Sequence, residues 1–394
     1  MPFPSAASGA PARRPIAELR EALAPARARL VARHAQYLAW QAEVTRIPAP
    51  TGDERARGAW MAARFRELGW RAVATDAVGN VIARRGGGAP TLDGTVWLVA
   101  HLDTVFADTT PLPVTARGLR LAGPGIGDNG RGLAALLAVA DALAHADVRS
   151  AREIVLVASV GEEGLGDLRG MKHLLGPAGH APAAVIAVDG AGDDRVVNAA
   201  LGATRWRIVF EGAGGHSWAD WGAPNPVHAA ADTAARLAAL PLPTDPRTTL
   251  TVARIGGGES INSIPRDGWL EVDVRSTDAR VLRDLGTTLR TTVAAAERAA
   301  NARRPAGLAA LSARIEQLGD RPCGHLADDA PLVRLAREAT ALLGVTPRLA
   351  VGSTDASVAI ARGIPAIAIG AGGVGGGIHT REEWYDDVHG ARGL

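Results

Sequence analysis

Two histidines and five carboxylates in this sequence have the types and placement to do chemistry together. His101 and Asp103 close the apolar run TVWLVAHLDTV, Asp128 sits among glycines in LAGPGIGDNGRG, and Glu162 and Glu163 follow REIVLVASV. Asp189 follows AVIAV, and His379 ends the glycine loop that starts at Gly370. Imidazole and carboxylate suit divalent cations. His101, Asp128, Glu163, Asp189 and His379 make an all-nitrogen-and-oxygen set, too large for one tetrahedral catalytic zinc, which takes three protein ligands and a water. Two metals sharing a bridging carboxylate fit better, and a hydroxide neutralises the charge that three carboxylates leave over. Metals roughly 3.5–4 Å apart bring the pKa of a bridging water toward about 7, which makes that hydroxide the expected nucleophile. Glu162, beside a ligand but not needed as one, is the base that takes its proton and passes it to a leaving amine. A spacing of two lets Asp103 point the same way as His101, accept the spare ring N–H and fix the tautomer.

Each of these residues also has a plainer reading. An HxD pair can be a structural hydrogen bond, and any one of the acids can be a solvated loop residue. Gly125 to Gly130 also fits the GxGxxG spacing of a dinucleotide-binding turn. That turn needs a preceding strand, a phosphate on the helix N-terminus and an acid about 20 residues on. Only the helix is clearly present; Asp128 would aim its charge into the pyrophosphate's place, and Asp147 lies in the polar connector AHADVRS. The metal reading draws its strength from three successive strand ends delivering their polar residues to one edge of one sheet, where ligands bind in open α/β sheets.

Those strand ends need a scaffold. A chain of 394 residues exceeds one ordinary core, so two domains are expected. An apolar fraction of 47% with 21% charged residues is that of a globular protein, and no apolar run is long enough to span a bilayer. Basic and acidic residues, 43 and 41, are interspersed, so neither a nucleic-acid surface nor a membrane partner is expected. The lone Cys323 excludes an intrachain disulfide or thiolate cluster and reads as a small, partly buried side chain. The opening MPFPSAASGAPARRP lacks the apolar core of a secretory signal and reads as a flexible tail on a cytoplasmic protein.

Helical spacing predicts a helix from Ile16 to Arg46, with His34 a surface or satisfied histidine, and a second from Asp53 to Leu68 capped by Thr51 or Asp53 and stopped at Gly69. Strands follow near Val73 and Val81, then over Thr95–Val105, Arg152–Val160 and Ala184–Val188, with a helix from Gly130 to Ala146. From Thr204 the order changes to strand, helix, two strands, helix, strand, which is the ferredoxin-like arrangement. The expected organisation is a catalytic domain over residues 1–203 and 320–394, with a mixed, mostly parallel sheet flanked by helices. A second, ferredoxin-like α+β domain over 204–319 is inserted into it. In the returning segment a helix is expected over Pro331–Leu343 and a buried strand over Ala366–Ile369. The glycine loop from Gly370 to Gly377 suits close approach of backbone N–H groups to a carboxylate.

Taken together, these residues resemble the co-catalytic metallopeptidases that include peptidase T, glutamate carboxypeptidase, aminoacylase, acetylornithine deacetylase and succinyl-diaminopimelate desuccinylase. The resemblance covers nearly the whole chain. Ala100 to Val105 resembles the family's first metal motif, and Asp128 in GPGIGDNGRG its bridging aspartate. Glu162 is similar to its base, Glu163 and Asp189 to its next ligands, and His379 in GGGIHTREEW to its last. The inserted domain resembles the lid through which family members dimerise, with Gly214–Ser217, Ile261–Pro265 and Asp273–Arg275 standing where the family keeps substrate-binding residues.

The resemblance implies a two-metal amide hydrolase, with zinc the leading metal and manganese or cobalt the alternatives. It implies a homodimer in which His216 reaches the partner's site and hydrogen-bonds the oxyanion. Asn262, Arg275 and the glycines before His379, Gly376 among them, are expected to receive the substrate's carboxylate or carbonyl oxygens; the plainer reading of Arg275 is an ion pair with Asp273 or Asp278. An aspartate at the Asp189 position resembles the aminopeptidase and dipeptidase branch, so a small peptide is the expected substrate. An N-acyl amino acid deacylase is the alternative, and a catalytically silent binding protein, which loss of Glu162 or a ligand would have favoured, is the third. One departure is plain: the family usually continues past its last histidine with a full closing helix, whereas this sequence stops at Leu394, so packing there is expected to differ.

Overall fold

Unbroken apolar runs build the centre of the molecule. In a computed structural model, which describes residues 16–85, 92–177 and 179–394, a nine-stranded sheet runs through the larger part of the chain. Its middle holds four parallel strands side by side: Ile154–Ser159, Val96–His101, Ala184–Val188 and Ala366–Ile369. They are covered on both faces, which is why their sequences do not alternate. Tyr37, Trp40, Phe65, Leu133 and Leu137 pack on one face, and Leu168, Met171, Leu174 and Ile360 on the other. Antiparallel strands Ala72–Thr75 and Val81–Arg84 extend one edge, while Arg195–Ala200 lies antiparallel to Ala366–Ile369 on the other side.

The lid forms a separate antiparallel sheet of four strands in the order Thr249–Gly257, Asp267–Ser276, Gly202–Glu211, Ser312–Arg321. With helices Pro226–Ala238 and Ala279–Ala302 against it, this is the ferredoxin-like pattern. Trp206, Phe210, Leu237, Leu270, Leu285 and Leu289 make its core. Asn225 and Asp278 cap the two helices by accepting backbone N–H bonds, as their types favour.

Several local expectations change. The run from Ile16 to Arg46 is three helices, Ile16–Ala22, Ala24–Ala32 and His34–Arg46. The second helix begins at Arg55, with Glu54 at its N-cap and no side-chain cap bond, so neither Thr51 nor Asp53 caps it. The tail over residues 1–15 lies outside the described residues. At the other end Leu394 packs against the core beside the N-terminal helices, His34 Nε2 sits 2.7 Å from Asp387 Oδ2, and Arg131 donates to the Gly390 carbonyl at 2.8 Å. A small sheet absent from the sequence reading joins Thr115–Arg117, Arg120–Ala122, Trp384–Asp386 and Val374–Gly376. Among the described residues no helix is long and apolar enough to cross a membrane.

Candidate metal centre

The polar residues of the central strand ends meet at one point. His101 is the last residue of its strand and is 2% exposed. Its Nε2 lies 3.0 Å from Asp128 Oδ1 and 3.8 Å from Asp189 Oδ1. His379, from the hairpin after Val374–Gly376, places Nε2 3.2 Å from Asp128 Oδ2 and 3.1 Å from Glu163 Oε1. Asp128 thus stands between two imidazoles with one oxygen toward each. Ligand atoms of His101, Asp128 and Glu163 all lie within 4.8 Å of one another. Two imidazoles and two further carboxylates surround this doubly facing aspartate, with His101 and Asp189 on one side and His379 and Glu163 on the other, a donor set whose chemistry suits divalent cations.

The electrostatics follow from the crowding. Hydrogen bonds to Asp128 and Glu163 push the His379 imidazole up to about 10. Burial alone would raise Asp128, but His101 and His379 hold its carboxyl far below the usual range. Burial raises Glu162 well above an ordinary glutamate, with the Arg321 guanidinium opposing it.

The supports come from distant parts of the chain. The Asp103 carboxylate accepts from the backbone N–H of Glu162 and of Glu163, both at 2.9 Å, and from the Thr51 hydroxyl at 2.9 Å. His101 Nδ1 therefore faces the Asp103 carbonyl at 3.0 Å, with the carboxylate at 3.6 Å. The expected ring contact is made mainly by the backbone, because the side chain is organising the glutamate loop. Asn129 caps helix Gly130–His145 by accepting from Gly132 N at 3.0 Å, and it donates to Val188 O at 2.9 Å, beside Asp189. Glycines of the apparent nucleotide motif serve close packing: a Cβ on Gly125 would meet Thr104 Cγ2 at 2.7 Å, and one on Gly130 would meet Thr45 Oγ1 at 2.2 Å. The Glu383 carboxylate, from the small sheet's hairpin, accepts from Gly125, Gly127 and Asp128 N–H groups, each at 2.8 Å, so it pins the Asp128 loop from four residues beyond His379.

The lid residues make local contacts in this chain. Arg275 Nε donates to Asp273 Oδ2 at 2.6 Å, the plainer reading of that residue. His216 pairs with Ser263 between two short strands, and its Nδ1 accepts from Trp218 N at 3.1 Å and Ala219 N at 3.3 Å. Those bonds assign the ring proton to Nε2. The Asn262 side chain accepts from Ser260 Oγ at 2.6 Å, and Gly376 pairs with Trp384 in the hairpin that leads to His379.

Comparison with known proteins places the chain in a family. The profile of peptidase family M20/M25/M40 matches residues 97–394, which spans every residue of the cluster. The chain belongs to that family. It is accordingly an enzyme, a hydrolase of the M20 peptidase and amidohydrolase group. Similar solved structures include a tripeptidase from Staphylococcus aureus, 22% identical, covering 90% of this chain and 95% of its own, with a TM-score of 0.71. The di-peptidase Dug1p from Saccharomyces cerevisiae is 16% identical over 94% of this chain and 96% of its own, with a TM-score of 0.71. An amidase of the hydantoinase/carbamoylase family from Burkholderia vietnamiensis is 21% identical over 91% and 95%, with a TM-score of 0.66. At these identities the likeness is one of fold. No match is found among curated protein sequences.

Three buried groups of this M20 chain escaped the sequence reading. Glu383 is 1% exposed, Arg321 is 5% exposed, and Asp355 is 2% exposed with Oδ2 accepting from the Ser159 hydroxyl. Burial pushes Glu383 up to about 7 and Asp355 to about 6. Glu383 carries a usable signal, a second acid just past His379, whereas Arg321 and Asp355 lie in DRPC and GSTDAS, which have no distinguishing pattern.

Proposed function

We propose that the protein is a dinuclear metal-dependent hydrolase cleaving an amide bond of a small peptide, as a dipeptidase or aminopeptidase does. The observation that carries this reading is Asp128 standing between His101 and His379 with one oxygen toward each, while Glu162 lies buried beside Glu163. When bound, two divalent cations, zinc first among them, would polarise the scissile carbonyl and lower the pKa of a water toward about 7. His101, Asp128, Glu163, Asp189 and His379 hold them; Asp103 orients the glutamate loop. Glu162 takes the proton from the attacking water and returns it to the departing nitrogen. Backbone N–H groups near Gly376, with Asn262 and Arg275, receive the substrate's oxygens. Arg275, although paired with Asp273, remains 42% exposed and able to turn to a carboxylate. The setting we expect is cytoplasmic.

The experiment is metal analysis coupled to a substrate screen. Chelation abolishes activity, and zinc, cobalt or manganese restores it; active protein free of divalent metal would end the reading. Dipeptides, tripeptides, their C-terminal amides and N-acyl amino acids are compared in parallel. Turnover confined to N-acyl amino acids establishes the deacylase alternative, which the amidase of the same fold keeps in view. Equal damage to peptides and their amides by Arg275→Ala removes that residue from carboxylate recognition.

We further take residues 204–319 as a lid that pairs two copies. Trp218 and Trp221 are 86% and 80% exposed beside His216, and fully exposed Ile261 adjoins Asn262, an apolar patch that a partner's surface would cover. The proton on His216 Nε2 makes it a donor to an oxyanion, where one such bond is worth ~3 kcal/mol. Mixing Glu162→Gln subunits with His216→Ala subunits, each inactive alone, regenerates one intact site per mixed dimer if His216 serves the partner. Mixed dimers that form and stay silent place the histidine's role within its own chain.

A further inference from the structure

The loop that carries Glu162 and Glu163 is gripped from two directions. From below, Asp103 accepts both of their backbone N–H groups. From above, the grip comes from the lid sheet. Arg321, the last residue of strand Ser312–Arg321, donates Nη1 to Glu162 Oε1 at 3.2 Å and Nη2 to the Glu162 carbonyl. Its Nη1 also reaches Ser353 Oγ at 3.0 Å. Beside it, Arg205 of the lid strand Gly202–Glu211 donates to the Gly164 carbonyl. Asp320 N–H reaches the Asp167 carboxylate at 3.0 and 3.1 Å, and Lys172 Nζ joins Asp167 at 2.5 Å and Asp320 O at 2.9 Å. Four residues of this loop and the short helix after it are therefore bonded to two strands of the lid.

We propose that Arg321 is a positioning residue: it fixes the Glu162 carboxylate against the lid sheet, so that the base and the lid keep one geometry. A planar guanidinium suits the task because its two terminal nitrogens hold side chain and backbone of the same residue at once, a grip that the single ammonium of lysine does not reproduce. The guanidinium side chain is 6% exposed, as is that of Glu162, so solvent does little to substitute for the contact. Arg321 acts on the reaction through Glu162 alone. The inference rests on Glu162 being the base, as proposed above.

The test uses the full metal-loaded enzyme with Arg321→Ala and Arg321→Lys. Groups that hold the ligands of a metal site in place cost about 10–100-fold in metal affinity or activity when lost, and we expect a loss of that order in kcat with KM nearly unchanged, equally on a peptide and its C-terminal amide. Metal content should stay at the wild-type value. Guanidinium ion added to Arg321→Ala should restore part of kcat, and adding Arg321→Ala to Glu162→Gln should cost nothing further. Hydrogen exchange over Gly161–Lys172 should rise in Arg321→Ala with or without metal. A rise in KM confined to substrates with a free carboxylate would assign Arg321 to substrate binding and overturn the proposal. So would a lower Tm with unchanged kcat. Should Arg321→Ala fail to fold, Arg321→Lys, which keeps the buried charge, decides by the same kcat and KM comparison. Near-normal Glu162→Gln would instead remove the base assignment itself, an outcome distinct from an inert Glu162→Gln beside a fully active Arg321→Ala.

Discussion

Glu162→Gln lowers turnover by roughly 100-fold or more, the range that general acid–base groups contribute, while the protein keeps its metals. Glutamine preserves the shape of the side chain and the backbone N–H bond from Glu162 to Asp103 at 2.9 Å. What it removes is a proton acceptor that burial has made more basic than an ordinary glutamate. A carboxylate with a raised pKa is lost as a base when the pH falls through that value, so the wild-type rate should decline on the acid side above the usual glutamate range, and Glu162→Gln should lack that limb. Metal content by elemental analysis and the pH dependence of kcat/KM check both halves. A glutamine variant with near-normal turnover would move the base elsewhere.

Glu383→Ala should strip the proposed metal centre without touching any of its five proposed ligands. The carboxylate accepts three backbone N–H bonds at 2.8 Å from the loop that presents Asp128. Removing it leaves buried donors unpaired, at about 1–3 kcal/mol each, and frees the loop whose aspartate faces both imidazoles. Supports of this kind cost 10–100-fold in metal affinity when lost, and we expect at least the upper end here, because one side chain holds three points of the loop. Glu383→Gln should be intermediate, since its amide oxygen still accepts while its NH2 opposes a donor. Metal retained against a competing chelator, measured beside Tm, gives the answer; wild-type retention in Glu383→Ala would show that the loop holds its shape unaided.

The parts of this molecule that were legible in the sequence share a physical cause. Parallel strands buried on both faces have to be continuously apolar, so Val96–His101, Ile154–Ser159 and Ala184–Val188 announce themselves, and polar residues at their ends stand out. The lid was legible because its two long amphipathic helices are separated by strands of ordinary length. Contacts that depend on tertiary placement were not. Thr51 looks like a helix cap but bonds Asp103, because the chain there lies beside the end of a central strand. The breaks at Leu23 and Arg33 fall inside a run whose helical spacing continues across them. Strands as short as Arg120–Ala122 and Trp384–Asp386 have too few residues to show any period, so the sheet that aligns Asp128 with His379 left no trace.

That small sheet also sets the order in which the protein can be made. Arg120 and Asp386, paired across it, are 266 positions apart, so Asp128 and His379 meet only after the chain between them has been synthesised and the second half of the catalytic core has returned to the first. Contacts of such long sequence separation form slowly, because the loop between them must be closed before the pairing is rewarded. Until then the Asp128 loop lacks Glu383, and the carboxylates on the strand ends face one another without their second imidazole. If the cluster holds metal as proposed, metal uptake would report finished folding: a chain interrupted before its last hairpin carries His101, Asp128, Glu163 and Asp189 but lacks His379, so it offers no complete centre and no hydrolytic activity.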